Sequence, residues 1–229
     1  IAREADMVLY THAGPEISVA STKAYMVQLA VFYLLAFRLS YVRGAITEEQ
    51  CMSYTEKLLG IPELIEKILE KPETCQFAAS RLVADEHLLY IGRGLDYALS
   101  MEGSLKLKEI SYIHSESYAA GELKHGTISL ITEDMPVIAV ATQRDVLDKT
   151  VSNIKEVKSR GAFTIVVTRE GTDFDKDVAD ILVTVPETDD LLMPMTAVVP
   201  LQLIAYYAAD LRGNDVDKPR NLAKSVTVE

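Results

Sequence analysis

The chain has 229 residues and carries 34 acidic against 23 basic side chains, which gives a net charge of −11. This length allows one or two domains of roughly 100 to 200 residues each. A composition that is 48% hydrophobic and 25% charged excludes a disordered chain, and an acidic chain without a stripe of lysine and arginine disfavours a nucleic-acid partner. The sequence opens at Ile1 with neither an initiator methionine nor a signal-like stretch, so we expect it to be part of a longer protein.

Cysteine content and hydropathy favour a cytoplasmic protein. Cys51 and Cys75 have no second cysteine or histidine at metal-binding spacing, which indicates reduced thiols. The most apolar run, residues 24–39, contains Gln28 and Arg38 and falls short of the about 20 apolar residues that a membrane span needs. We therefore predict a buried helix here and no membrane association.

The first third of the chain predicts one strand followed by helices. MVLYTHA, residues 7–13, indicates a strand or the end of one. A long helix follows, capped by Ser21 or Thr22 and ended by Gly44. A second helix begins at Thr47, where TEEQ matches a capping box, and a short amphipathic helix lies between the next two prolines.

From about Phe77 onward, helical segments alternate with short β-branched runs, which is typical of βαβ units and a parallel sheet. The predicted strands are 87–94, 135–141, 162–168 and 180–186. The predicted helices are 77–85, 95–114, 144–161 and 193–213. SESYAAGELKHG, residues 115–126, is expected to be a glycine-punctuated loop. The cationic, Pro-interrupted end of the chain either hangs free or folds back over another part of the molecule.

The densest group of reactive side chains lies in the predicted helix 95–114. Glu102, Lys106 and Glu109 are spaced i, i+4 and i+7, so the ammonium lies between two carboxylates on one helix face. One interpretation is an exposed ion pair on a solvated face. The other is a carboxylate kept partly dry beside a lysine and tuned to act as a general base. The spacing alone does not decide between them.

Two further groups could bind a ligand, the first a metal ion and the second an anion. Glu122 and His125 form an E-x-x-H pair, but a metal usually needs a third or fourth ligand and no second such pair exists, so we expect no metal. Ser18, Ser21 and Thr22 stand at the start of the long helix. They either offer hydroxyls and free backbone N–H groups to an anion or serve as helix caps alone.

Three segments together resemble one family of enzymes. The three segments are GPEISVASTKAY, EGSLKLKEISYIHSESYAAGELKHG and DVDKPRNLAKSVTVE. In this order they closely resemble segments of the isomerase portion of glutamine–fructose-6-phosphate aminotransferases, also called glucosamine-6-phosphate synthases. The resemblance covers essentially the whole chain. It implies an α/β fold, a flavodoxin-like three-layer sandwich around a parallel sheet known as the sugar-isomerase (SIS) domain, preceded by a partial SIS domain.

The resemblance also implies a division of the chain into four parts. We expect a C-terminal remnant of a first SIS domain at 1–46, a helical connector at 47–76, a second SIS domain at 77–214 and a catalytic C-terminal tail at 215–229. The family's phosphate-binding loop, of the S-x-S-G-E-T type, is absent from these residues, and neither cysteine matches a glutaminase motif. We therefore expect the sequence to begin inside the first SIS domain.

The family makes glucosamine 6-phosphate from fructose 6-phosphate and from ammonia that a separate N-terminal glutaminase domain releases, and it uses no cofactor. By resemblance, Glu109 moves a proton between C1 and C2 of the sugar. His125 assists ring opening and comes from the neighbouring subunit, which implies a homodimer. Lys224 forms a Schiff base with the open-chain ketone, and Lys106 is a second lysine of that pocket.

Three more residues are expected at the substrate by the same resemblance. Val19 and Ser21 resemble sugar-contacting residues, and Ala223 lies next to the lysine of the tail. Two other functions stay open: a stand-alone SIS-domain phosphosugar isomerase or deglycase, and a non-catalytic SIS module that senses sugar phosphates. Neither cofactor nor metal enters the expected chemistry.

Overall fold

The computed structural model describes residues 2–172, 174–175 and 177–224. Within these residues, seven α-helices and five β-strands form. The helices are α1 (Lys23–Val42), α2 (Glu48–Leu59), α3 (Ile61–Leu69), α4 (Glu73–Leu82), α5 (Leu95–Ser111), α6 (Leu147–Lys158) and α7 (Met193–Leu211). The strands are β1 (His87–Gly92), β2 (His114–Ala119), β3 (Pro136–Ala141), β4 (Phe163–Arg169) and β5 (Ile181–Val185). Short 3₁₀ turns connect β2 with β3 and precede α6.

The five strands form one sheet in the order β2-β1-β3-β4-β5, and every neighbouring pair is parallel. This is the flavodoxin-like order, in which the chain changes direction across the sheet between β1 and β3. Helices α4, α5 and α7 cover one face and α6 covers the other. The predicted α/β class, a three-layer sandwich around a parallel sheet, is confirmed.

The core follows from the two-residue period of the strands. On β1, Leu88 and Tyr90 point toward α5 and α7, whereas Leu89 and Ile91 point toward α6. All four side chains are almost completely buried. Both faces of the strand are therefore apolar, as expected for a parallel sheet covered by helices on both sides.

The strand predictions were wrong at two places. Residues 7–13 are irregular and join no strand. The segment expected to be a loop contains β2, which pairs with β1 in the register His87–His114 through Gly92–Ala119. Its sequence, HSESYA, is mostly polar because β2 is an edge strand with β1 as its single neighbour in the sheet, and a pattern search for β-branched runs misses such a strand.

Helix α1 has the predicted position but not the predicted burial. Phe37 is its one buried residue, and it stacks on Tyr33 and Tyr54 beside the start of α3 and α7. Much of the rest of the helix is exposed, with Phe32 at 67% and Leu39 at 59%. In the described part of the chain this is the one helix long and apolar enough to cross a membrane, a test that a core helix also passes.

The connector begins as the sequence predicts. The Thr47 hydroxyl accepts the N–H of Gln50, and the Gln50 side chain accepts the N–H of Thr47, so the capping box is complete. Both cysteines are free thiols, as expected. Burial raises the pKa of Cys75 to about 12, which makes this thiol a packed, unreactive group.

Candidate active site

The Glu102, Lys106 and Glu109 side chains meet on α5 as their spacing predicts. Lys106 Nζ lies 2.6 Å from Glu109 Oε2 and 3.6 Å from Glu102 Oε1. The lysine side chain is 6% exposed, and the two glutamates are 12% and 22% exposed. The group is therefore the partly dry arrangement and not an ion pair on a solvated face.

Burial distinguishes the two carboxylates of this group. Burial raises the pKa of Glu102, and Lys106 opposes that rise while Glu109 adds to it. Burial together with the Glu102 carboxylate raises the pKa of the nearby Tyr25 on α1 to about 12. Oε1 of Glu102 has no hydrogen-bond partner, whereas Glu109 keeps the short contact with Lys106 and is the more open of the two. Glu109 is thus the carboxylate better placed to meet a substrate.

The tail folds back over the segment that precedes α1. Lys224 Nζ donates to the Ser18 carbonyl at 2.6 Å and lies 3.4 Å from Glu16 Oε2. The Val19 N–H donates to the Asp217 carbonyl at 3.0 Å. The described part of the tail therefore folds back over another part of the molecule and does not hang free. Residues 225–229, which complete the predicted catalytic tail, lie outside the described residues.

Glu16 occupies the helix start that the sequence left open to an anion. Its Oε1 accepts the backbone N–H groups of Thr22 and Ala24 at 2.9 and 3.3 Å. Burial acts to raise the pKa of Glu16, but these two hydrogen bonds, with those from Lys224 and Ser21, outweigh burial and lower it. The Thr22 and Ala24 N–H groups are therefore not free for an anion. The predicted cap by Ser21 or Thr22 is wrong, because Thr22 makes no side-chain cap hydrogen bond and the Glu16 carboxylate takes this role.

A cavity of about 180 Å³ lies between α5 and the tail. Its lining includes Lys106 and Ser18, with Gln202 and Tyr206 of α7 and Asp217 of the tail, but neither Glu109 nor Lys224. The Nε2 of Gln202 is buried and has no hydrogen-bond partner. An unpaired amide donor beside a lysine gives the cavity polar groups that a hydroxylated ligand satisfies.

The tail is anchored on the carboxyl end of α5. Asn214 Nδ2 donates to the carbonyls of Ile110 and Ser111. Tyr112 has a left-handed backbone with φ of 63°, and its hydroxyl accepts the N–H of Arg220 at 2.8 Å. The Arg220 guanidinium lies 4.1 Å from the centre of the Tyr112 ring, a cation–π contact. These contacts hold the tail beside the cavity.

The remaining predicted residues fall into two groups. Val19, Ser21 and Ala223 lie in the two segments that meet at Lys224, and Ser21 also contacts Glu16. His125 lies elsewhere, in the 3₁₀ turn after β2, and its Nε2 is 3.9 Å from Glu122 Oε2 in an exposed position. Glu109 is near the end of α5, so the length of β2, roughly 17 Å at 3.3 Å per residue, separates it from His125.

Sequence reasoning missed Glu16, Gln202 and the Tyr112–Arg220 contact. Glu16 meets Lys224 from 208 positions away, Tyr112 and Arg220 are 108 positions apart, and Gln202 shares a cavity with residues far from it in the sequence. Only the position of Glu16 just before a helix start gave a local signal. In the ranges 2–172, 174–175 and 177–224, no group of three or more His, Cys, Asp or Glu side chains is arranged to hold a metal.

The all-parallel sheet in the flavodoxin-like order, covered by helices on both faces, is consistent with the family that the sequence matches. The chain belongs to the SIS domain family, whose model matches residues 81–212. This match lies inside the predicted second SIS domain, 77–214.

The chain is also similar to curated relatives and to solved structures. The whole chain aligns, at 54% identity over 230 residues, with the glutamine–fructose-6-phosphate aminotransferase (isomerizing) of Clostridium tetani, and it spans 38% of that relative's length. The C-terminal domain of glucosamine-fructose-6-phosphate aminotransferase from Francisella tularensis has a TM-score of 0.89 at 38% identity, over 95% of this chain and 61% of that one. A glucosamine-6-phosphate deaminase from Thermotoga maritima shares the fold, with a TM-score of 0.71 at 24% identity over 99% of this chain and 63% of that one.

Proposed function

We propose that this chain is the isomerase region of a glutamine–fructose-6-phosphate aminotransferase, which makes glucosamine 6-phosphate from fructose 6-phosphate and glutamine-derived ammonia. The observation that carries the proposal is the position of Lys224, which lies against Ser18 beside a cavity that Lys106 lines. A primary amine against Ser18, which lines the same cavity as a second lysine paired with a carboxylate, suits carbonyl chemistry on an anionic sugar.

The proposed chemistry divides the work between the tail and α5. The Lys224 amine attacks the C2 ketone of the open-chain sugar, and loss of water leaves an iminium that draws electrons from the neighbouring carbons. Ammonia adds to this iminium and expels the Lys224 amine, which leaves a C2 imine whose nitrogen comes from ammonia. Glu109 then takes a proton from C1 and returns it at C2, while the C1 hydroxyl loses its proton and becomes the aldehyde, so the nitrogen stays on C2 as the amine. The Lys106 ammonium offsets the negative charge that develops in between.

Three residues contact the sugar in this proposal, and a fourth comes from a second chain. Val19, Ser21 and Ala223 flank Lys224 in the two segments that meet there. His125 promotes ring opening in the site of the other subunit of a homodimer. The distance between His125 and Glu109 along β2 supports this assignment, since one chain does not bring the two side chains together.

Three other proposals complete the assignment. The chain divides into four parts, with boundaries after residues 46, 76 and 214. An N-terminal glutaminase domain of the same polypeptide is the ammonia source. The name of the relative, an aminotransferase that acts on glutamine, supports this partner. We also propose a cytoplasmic location, which the two free thiols and the packing of α1 on α2 and α7 support.

The two other functions have weaker support. Identity to a deaminase is 24%, against 54% to an aminotransferase over the whole chain. A sensing module has no need of a buried lysine between two carboxylates or of a tail lysine held against Ser18. Neither alternative accounts for the anchoring of the tail on α5.

Trapping the Schiff base tests the role of Lys224. Fructose 6-phosphate and borohydride, added to the full-length protein, reduce an iminium to a stable amine, and peptide mass spectrometry should place the sugar on Lys224. The variant Lys224→Arg should abolish labelling, whereas Lys218→Arg, at an exposed lysine of the same tail, should preserve it. Labelling at another lysine, or none in the wild type, contradicts the role.

Mixing two inactive variants tests the shared site. Glu109→Gln and His125→Ala should each lose activity by about 10²–10⁴-fold as expected for loss of a general acid or base. Dimers formed from both should regain part of it, because one of the two sites then combines an intact Glu109 with an intact His125. Activity that stays at the level of the single variants after subunit exchange argues against a site built from two chains. Glu109→Gln should still bind the sugar phosphate.

A further inference from the structure

Two histidines face each other at the amino end of the sheet. His87 and His114 are the first residues of β1 and β2 and are register partners in this parallel pair. Their side chains therefore leave the sheet on the same face, which is the face toward α6, since Leu89 and Tyr118 continue that row. The candidate active site lies on the opposite face, on α5, so this pair is separate from it.

The distance between the rings fits a shared metal ion. The two Nδ1 atoms are 3.3 Å apart, and the rings are nearly perpendicular with an interplanar angle of 80°. Two imidazole nitrogens bound to one tetrahedral ion at 2.0–2.1 Å are separated by roughly 3.3–3.4 Å. The same separation also accommodates an N–H···N hydrogen bond between the two rings, so the surroundings of the pair carry the choice of a metal.

The surroundings of the pair favour a cation. The histidines line a cavity of about 610 Å³ whose other charged lining residues are all acidic. These carboxylates belong to Asp85, Glu86, Glu116, Glu133 and Asp134. Neither a lysine nor an arginine lines this cavity in the described part of the chain. Arg81 and Arg212 act on one of the five carboxylates, Asp85, and the lining keeps an acidic excess that favours divalent ions. Carboxylates of this kind can accept hydrogen bonds from water on a bound ion.

We propose that His87 and His114 form a two-histidine site for a divalent transition-metal ion of the Zn²⁺ or Ni²⁺ type. Imidazole nitrogen is a preferred ligand of these ions, whereas Mg²⁺ and Ca²⁺ prefer oxygen. Water fills the other coordination positions, because no third protein ligand completes the group among the described residues. A bound ion ties the edge strand β2 to β1 at the start of both strands, which stabilises the folded sheet.

Calorimetric titration tests the site. The protein is stripped of metal by a chelator and dialysis and is titrated with ZnCl₂ and, separately, with NiCl₂. One ion per chain should bind at this site, and His87→Ala and His114→Ala should each weaken its affinity by at least about tenfold, since each removes one of the two protein ligands. His12→Ala, at an exposed histidine outside the cavity, serves as the matched control and should leave the affinity unchanged.

A second variant separates metal binding from folding. His114→Gln keeps a polar, hydrogen-bonding side chain on the strand but removes the imidazole, and circular dichroism confirms that the protein is folded. The proposal is overturned if this folded variant binds Zn²⁺ as tightly as the wild type. It is also overturned if His12→Ala weakens binding as much as His87→Ala, or if the stripped wild type binds neither ion. In those cases the two imidazoles bind each other through a hydrogen bond and bind no metal ion.

Discussion

Lys106 holds its place in a helix surrounded by apolar neighbours because two carboxylates, three residues ahead and four behind, offset its charge. The sequence predicts this arrangement, since helical spacing alone brings the three side chains onto one face. It does not predict their burial, which depends on α7 and α1 covering the same face of α5. Glu16 shows the other limit, because its contact with Lys224 joins residues 208 positions apart.

Glu102 should make the stability of the protein depend on pH. Burial raises its pKa, so between its ordinary pKa and the raised one the folded chain binds more protons than the unfolded chain. Stability attributable to this group therefore falls as pH rises through that window. Glu102→Gln should remove this part of the pH dependence, measured as the difference between urea unfolding midpoints at pH 5 and pH 8.

Comparison of the variant with the wild type is needed, because burial also raises the pKa of Asp85 and Asp96 and these groups remain in both proteins. Glu63→Gln, at an exposed position on α3, is the matched control and should reproduce the wild-type difference. An equal pH dependence in Glu102→Gln and Glu63→Gln contradicts the role given to burial of Glu102.

At the scale of elements, the tail and the start of α1 depend on one carboxylate, and two substitutions separate its roles. Glu16→Gln keeps an acceptor for the Thr22 and Ala24 N–H groups but removes the charge facing Lys224. It should speed tryptic cleavage at Lys224 while costing the fold less than about 1 kcal/mol, as expected for a partly exposed ion pair. Glu16→Ala should add the loss of a helix cap, about 0.5–2 kcal/mol, measured by urea unfolding.

Glu4→Gln, at an exposed glutamate near the start of the chain, is the control for both measurements. Two results would count against this account of Glu16. One is unchanged cleavage at Lys224 in both variants, and the other is an equal loss of stability in the glutamine and alanine variants.

The elements that sequence reasoning placed correctly are those with strong internal periodicity. The buried strands β3 and β4 are continuous apolar runs, and helices such as α5 and α7 carry clear start or stop signals. Strand β2 was not predicted, because the sequence of an edge strand with partly exposed polar side chains resembles that of a loop. The burial of α1 was mispredicted because apolar composition does not specify which surface covers a helix.

At the scale of the whole molecule, α1 presents an uncovered apolar face. Phe32 and Leu39 are seven residues apart, so both lie on one side of the helix, and Val42 extends the patch. Such a surface promotes association. We expect the 229-residue chain alone to self-associate as its concentration rises. The double variant Phe32→Ser, Leu39→Ser should weaken this self-association by several fold, measured by sedimentation velocity. Gln28→Ser, at an exposed polar position of the same helix, is the control. Equal sedimentation of the double variant and the control contradicts the expectation.

The contact of the tail with the segment before α1 also bears on how the chain folds. Ser18 and Val216 are 198 positions apart, and Ser18 and Lys224 are 206 apart, so these hydrogen bonds have nearly the largest contact order that the chain allows. Contacts of this kind form after the intervening elements have folded, because loop closure between distant segments is entropically costly. The tail should dock last, once α5 and α1 are in place. The amides of the tail should also be among the first to exchange with solvent, through local opening that leaves the sheet intact.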